Sequence, residues 1–224
     1  AHQVGKNDVA VDLITKALAV EPDYADAHSN LGIALQGLGK LEEAVASYHN
    51  ALAIKPDFIG AHNNLGAALK ELGKLEEAVA SYHKALALKP DYADAHYNLA
   101  NVLKSQGKQG EAVASYGKAL ALKPDHADAH YNLGTALQEL GKQEEAVASY
   151  HKALTLKPDF AEAHSNLGNA LHELGKLDEA IASYNNALAI KSDYADAHNN
   201  LGNALKDQGK LEEAVASYRR ALAL

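Results

Sequence analysis

The string GKLEEAVASYH runs from Gly39 to His49, recurs unchanged from Gly73 to His83, and returns at Gly209 as GKLEEAVASYR. The spacing is 34 residues, and the same register holds along the whole 224-residue chain. A fixed period of this length marks an array of like supersecondary units. The units fall at 25–58, 59–92, 93–126, 127–160 and 161–194, with a sixth at 195–224 that stops short. Residues 1–24 fit the second half of an earlier unit, because Gly5, Ala10, Ala17 and Pro22 stand one period before Gly39, Ala44, Ala51 and Pro56.

Each unit reads as two helices. In 25–58 the apolar residues Ala27, Leu31, Ala34, Leu35 and Leu38 recur every three or four positions, as one buried helical face requires. Gly39 then supplies a left-handed position that ends the first helix. The second helix carries Leu41, Ala44, Val45, Tyr48, Ala51 and Leu52 on one face and stops before Pro56. At about 14 residues, each helix is roughly 21 Å long. Nothing alternates with period two over a useful length, so no strands are expected and the fold class is all-α.

The order small–x–x–Leu–Gly, then Gly, Ala, Tyr, Ala and Pro resembles the tetratricopeptide-repeat (TPR) signature. In the third unit it is carried by Leu99, Gly107, Ala112, Tyr116, Ala119 and Pro124. The resemblance covers nearly the whole chain. It departs from the family pattern in three ways. The large aromatic near the start of the first helix is His (His28, His62, His96, His130, His164, His198), the Gly of Leu-Gly is Ala100 in the third unit, and the closing Pro is Ser192 in the fifth. The resemblance implies a right-handed α-solenoid of stacked helix-turn-helix repeats, whose first helices line a concave inside. It implies protein–protein interaction as the function, with no enzymatic chemistry.

Those first helices carry one Asn at the same place every time: Asn30, Asn64, Asn98, Asn132, Asn166 and Asn200. Asn is a poor helix-interior residue because its amide competes for backbone partners, so a six-fold recurrence calls for a reason. An amide offers both donor and acceptor, which suits it to a peptide backbone of any sequence. Helices packed roughly 8–10 Å apart against a chain advancing roughly 3.3 Å per residue would present one Asn at about every third residue. The row resembles the asparagine ladder of O-GlcNAc transferases, as does the flanking Asn-Leu-Gly-Asn-Ala-Leu at 166–171 and 200–205. That resemblance implies a groove for an extended polypeptide, in the substrate-recognition region of a larger glycosyltransferase-like protein. The other reading has the amides bond a neighbouring helix and tie one hairpin to the next.

More variable candidates flank the row. One step before it come Ser29, Asn63, Tyr97, Tyr131, Ser165 and Asn199, and three after it Ile33, Ala67, Asn101, Thr135, Asn169 and Asn203. Tyr97 and Tyr131 are placed either to stack on ligand side chains or to fill gaps between helices. Lys70, Lys104 and Lys206 are too sparse, and too mixed with Glu71 and Asp207, for a carboxylate clamp.

Other signals point away from chemistry. Six of the twelve His recur one per repeat, as fillers at an aromatic position, and there is no Cys, so no metal site or cofactor is expected. Glu-Glu pairs at 42–43, 76–77, 144–145 and 212–213 open second helices, where negative charge complements the dipole. Ser47, Ser81 and their copies lack a fixed His–Asp partner. A net charge of −8 disfavours nucleic acid and favours neutral or basic partners. No run is long and apolar enough for membrane insertion, and lack of Cys and of Asn-x-Ser/Thr sequons points to a reducing, cytoplasmic setting. Gly60, Gly110 and Gly117 fall inside helices, which argues for natural duplication rather than design. The chain lacks an initiator Met and reads as a fragment, and its apolar Ala221-Leu222-Ala223-Leu224 predicts end-to-end self-association, the mark of a self-assembling scaffold.

Overall fold

The computed structural model describes residues 2–224, with side chains from Lys6 onward. Ala1 and the side chains of positions 2–5, Gly5 among them, lie outside the described residues. All thirteen elements among the described residues are α-helices. They fall into two compact units, 1–108 and 109–224.

The first unit holds α1 (His2–Val20), α2 (Ala25–Gly37), α3 (Leu41–Ile54), α4 (Ile59–Glu71), α5 (Leu75–Leu88) and α6 (Ala93–Ser105). The second holds α7 (Gln109–Leu122), α8 (Ala127–Glu139), α9 (Gln143–Leu156), α10 (Ala161–Glu173), α11 (Leu177–Ile190), α12 (Ala195–Asp207) and α13 (Leu211–Leu222). First helices are 13 residues long and most second helices 14. Helix α1 already runs through position 5, so it starts earlier than the 34-residue register predicts.

Capping explains the sharp helix ends. Lys40 N donates to Leu35 O at 2.9 Å and Gly39 N to Gln36 O at 2.9 Å, the paired bonds of a Schellman turn. That turn requires a left-handed residue, and Gly39, Gly73, Gly107, Gly141, Gly175 and Gly209 all sit at φ between 73° and 85°. By contrast Gly117 lies inside α7, where no left-handed backbone is needed. Neither Gly117 nor Gly141 has an atom within 4 Å of where a Cβ would be. The same substitution is therefore expected to act with opposite signs at the two sites. Gly117→Ala should stabilise by about 1 kcal/mol through helix propensity, and Gly141→Ala should destabilise by about 1–2 kcal/mol through left-handed strain. Thermal unfolding of the two variants checks this, and like signs would contradict it.

Each unit builds its core from the same residue types. In the first, Ala44, Tyr48 and Ala51 of α3 and Ala78, Tyr82 and Ala85 of α5 are buried, together with Leu35, Leu65 and Leu69 of α2 and α4. In the second, Tyr150 and Tyr184 pack among Leu137, Leu167, Leu171, Leu201 and Leu205. The Leu-Gly glycines admit these rings. A Cβ at Gly168 would lie 2.6 Å from the Tyr184 ring, so the ring occupies the place of the missing side chain.

The connections between hairpins hold two contacts that the periodic pattern alone does not announce. His62 Nε2 donates to Pro56 O at 2.9 Å, and His28, His96, His130 and His164 do likewise to Pro22, Pro90, Pro124 and Pro158. The fillers expected at this aromatic place thus also latch each first helix to the turn before it. His198 keeps the bond to Ser192 O at 3.1 Å, because a carbonyl is available whether or not the residue is Pro. In the same turns Lys55 covers the Phe58 ring at 5.0 Å, Lys157 the Phe160 ring at 4.3 Å and Lys191 the Tyr194 ring at 4.8 Å. No helix among the described residues is long and apolar enough to cross a membrane.

Candidate functional site

Within a helix, residues four before and seven after a given position share its face. The Asn row therefore defines one face on each first helix, and its environment differs between the two units. In the first unit Asn30 is exposed, while Asn64 and Asn98 are half-buried. Asn98 Nδ2 donates to Asn63 Oδ1 at 3.2 Å, and Asn63 Nδ2 to Asn64 Oδ1 at 3.4 Å. Asn63 itself is buried. Tyr97 and Asn101 are half-buried and have partners of their own.

In the second unit Asn132, Asn166 and Asn200 are half-buried. Asn166 Nδ2 donates to the Tyr131 hydroxyl at 3.1 Å, and Asn200 Nδ2 to Asn169 Oδ1 at 3.0 Å. Asn169 Oδ1 also accepts from the Tyr184 hydroxyl at 2.8 Å, and Asn203 Oδ1 accepts from Tyr218 at 2.8 Å. Asn132 has a partner too.

For Asn98, Asn166 and Asn200 the side chain thus joins its helix to the preceding first helix, the tie that the second reading of the row expects. Each bond uses the amide nitrogen. Among the described residues, the Oδ1 of these three makes no hydrogen bond. An amide so held is fixed in rotamer and still offers a carbonyl and a second N–H.

Tyr131 packs into the hairpin core: its ring centroid lies 4.7 Å from that of Phe160 and 6.1 Å from that of Tyr150. Burial raises its phenol pKa, with the charge of Glu162 a smaller contribution. Burial likewise pushes Tyr48, Tyr82, Tyr150 and Tyr184 well above the ordinary phenol value, so their hydroxyls remain donors.

Those donors feed a second line of contacts that sequence reasoning missed. Tyr48 donates to Gln36 Oε1 at 3.1 Å, and Gln36 Nε2 to Glu71 Oε1 of the next first helix at 2.5 Å. Tyr150 repeats the relay through Gln138, at 2.9 Å, to Glu173, at 3.4 Å. His172 reaches Asp207 at 2.8 Å from the same register position, with no tyrosine behind it because Tyr184 donates to Asn169 instead. The clue lay in Gln, Lys and His alternating at one register position, which the even Asn row overshadowed.

Electrostatics separate the two units further. In the second, exposed carboxylates stand four before each ladder Asn (Asp128, Glu162, Asp196) and seven after it (Glu139, Glu173, Asp207). The first unit has Asp26, Asp94 and Glu71 at those places, with Gly60, Gly37 and Ser105 at the others. Among the described residues no three His, Cys, Asp or Glu side chains gather as metal ligands would. His126 and His130 do stand four apart, a spacing hidden by the 34-residue period. His126 Nδ1, however, accepts from Ala129 N at 3.3 Å, and His130 bonds the turn.

Known proteins agree with this architecture. A TPR-repeat profile matches residues 37–73, 68–107, 100–141, 136–175 and 168–209, and tetratricopeptide-repeat profiles match 13–46 and 195–224. No curated protein sequence matches the chain. Among solved structures it resembles YrrB, described as a TPR protein with an unusual peptide-binding site, at 27% identity and TM-score 0.73, over 80% of this chain and 92% of that one. It resembles MamA at 25% identity and TM-score 0.71, over 74% and 90%. PilF of Pseudomonas aeruginosa shares the fold at 22% identity and TM-score 0.74, over 86% and 88%. With 34-residue helical hairpins capped by left-handed glycines, and profile matches along most of its length, the chain belongs to the tetratricopeptide-repeat family.

Proposed function

We propose that this chain is a non-enzymatic protein-interaction module whose Asn-bearing faces hold the main chain of an extended polypeptide. The observation that carries the reading is the state of Asn98, Asn166 and Asn200. One N–H of each is tied to a neighbouring helix, and the carbonyl is left unpartnered. An amide fixed in this way loses little entropy when a ligand N–H reaches it, which is what preorganisation means for affinity. The peptide-binding site of YrrB, a structural neighbour, supports the general class. Carboxylates around the second unit's row favour segments that carry Lys or Arg. The Asn row and its flanks at 166–171 and 200–205 further support a place in the substrate-recognition region of a glycosyltransferase-like protein.

The test is binding of a pool of labelled unstructured peptides to the chain and to Asn166→Ala/Asn200→Ala. The double variant is expected to keep its helicity and lose about five- to a hundredfold in affinity, since two charge-free hydrogen-bonding groups are worth about 1–3 kcal/mol together. Tyr131→Phe removes the acceptor of Asn166 while leaving the amide, and is expected to stay within about threefold. Unchanged binding by the double variant, or equal losses in both, would assign the row to stacking alone.

A second reading is self-association as a scaffold. It is favoured by the face that α12 and α13 present, where Leu222, 87% exposed, lines a cavity together with Asn199 and Tyr218. Sedimentation of the same samples separates the two readings, because a mass that climbs with concentration, without peptide binding, puts the scaffold first.

A further inference from the structure

We infer that the second unit carries a small-molecule site on its other side, between α11 and α13, built for a short aliphatic carboxylate. The cavity there has a volume of about 190 Å³. That is below the roughly 300–1,000 Å³ of sites for drug-sized ligands, so it admits a group of a few carbon atoms. Leu188 and Leu201 give it an apolar floor, and its polar lining comes from Asn185, Ser192, His198, Ser217 and Arg220.

The residues that line this cavity differ from those at the equivalent places of the other repeats. In an array of near copies, departures from the period mark places under separate constraint. Position 192 is Ser where the other units have Pro22, Pro56, Pro90, Pro124 and Pro158. Position 220 is Arg where they have Asn50, Lys84, Lys118, Lys152 and Asn186, and position 185 is Asn where they have His49, His83, Gly117, His151 and Arg219. All three departures line this one cavity. Ser192 adds a hydroxyl and a main-chain N–H that Pro lacks, while Arg220 puts a planar guanidinium where the other units have Lys or Asn.

A fourth donor is already in place. Ser47, Ser81, Ser149 and Ser183 each donate to the main-chain carbonyl four residues back, at 2.9–3.0 Å. Ser217, a copy of these, is only 8% exposed and, like Ser115, does not make that bond, which leaves its hydroxyl available to the cavity. Asn185, Ser192 and Arg220 are exposed, so their polar groups are open to solvent and to a ligand. Arg220 is the one formally charged residue of the lining, and no carboxylate shares the cavity in a protein of net charge −8. Four donors with a guanidinium at the rim and Leu at the floor match a carboxylate head on a short alkyl stem. His198, held to Ser192 O at 3.1 Å, keeps the turn in position against the cavity.

The experiment titrates the 224-residue chain with butyrate and, separately, with inorganic phosphate, following backbone amide shifts by NMR. Butyrate is expected to saturate at millimolar concentration, with shifts confined to Asn185, Ser192 and residues 216–220. Phosphate, which makes no use of the apolar floor, is expected to bind at least about tenfold more weakly. Arg220→Gln should lose butyrate affinity at least about tenfold, while Arg219→Gln, which removes an equal charge one residue away but outside the lining, should stay within about twofold. Both variants should keep the helicity of the parent. Diffuse or unsaturable shifts, equal losses in the two variants, or phosphate bound as well as butyrate would overturn the proposal.

Discussion

Raising the pH from about 9 to about 11 is expected to unfold this protein, and to do so through its buried phenols. Tyr48 and Tyr82 in the first unit and Tyr150 and Tyr184 in the second are at most 1% exposed. Burial is the largest cause of their raised pKa values, ahead of the Glu71 charge near Tyr48 and Tyr82 and the Glu173 charge near Tyr184. The unfolded chain loses its phenolic protons at about pH 10 while the folded chain keeps them. Above that point the unfolded state binds fewer protons, so stability is whole below about pH 10 and falls as pH rises. A phenol shielded from water contributes a loss of about 1.4 kcal/mol per pH unit, and somewhat less where solvent reaches the oxygen. Four such groups one unit above the unfolded value would remove roughly 4–5 kcal/mol, a large part of an ordinary domain's stability.

The control distinguishes phenols from lysines, which lose charge in a neighbouring range. Tyr150→Phe/Tyr184→Phe removes two titrating groups along with their bonds to Gln138 and Asn169. That variant should be less stable than the parent near pH 7, by about 1–3 kcal/mol for two hydrogen bonds. It should also be more resistant at the alkaline end. Far-UV circular dichroism together with tyrosinate absorbance would show the two stability curves cross. Parallel curves that never cross would place the alkaline transition elsewhere.

The architecture was legible because the period repeats the same physical instructions. Leu at helical spacing, Gly39 at the turn and Pro56 after the second helix each act locally, and the helices form where those residues stand. What the ladder amides do was harder to read, because it depends on the neighbour. Asn98 meets Asn63, Asn166 meets Tyr131 and Asn200 meets Asn169, three different partners drawn from the positions that vary. A constant residue with changing partners looks in sequence like a site facing outward. The histidine latch was hidden for the opposite reason. Its acceptor is a main-chain carbonyl, which leaves no trace in side-chain identity, as the survival of the bond at Ser192 demonstrates. The Lys–aromatic contacts in the turns were visible as Lys three before Phe or Tyr, but no period-based search looks inside the connections.

Replacing Tyr184 by Ala is expected to be the most damaging single change in the second unit. The ring is fully buried, lies where a Cβ of Gly168 would stand, and donates through its hydroxyl to Asn169. Large-to-Ala changes of buried aromatics cost about 3–5 kcal/mol, through lost transfer energy and the cavity left behind. Gly168 makes the cavity worse, since neither partner then has a side chain to close it. In a repeat array each hairpin is supported mainly by its neighbours, so the damage should spread along the stack before the rest unfolds. Hydrogen exchange should show protection lost in α10, α11 and α12 while the first unit's α3 and α4 retain theirs. Tyr184→Phe separates packing from the hydroxyl: it should lose only about 0.5–1.5 kcal/mol and keep protection in all three helices. If the Phe variant proves as damaging as the Ala variant, the hydrogen bond to Asn169, and through it the hold on Asn200, matters more to this stack than the ring that fills it.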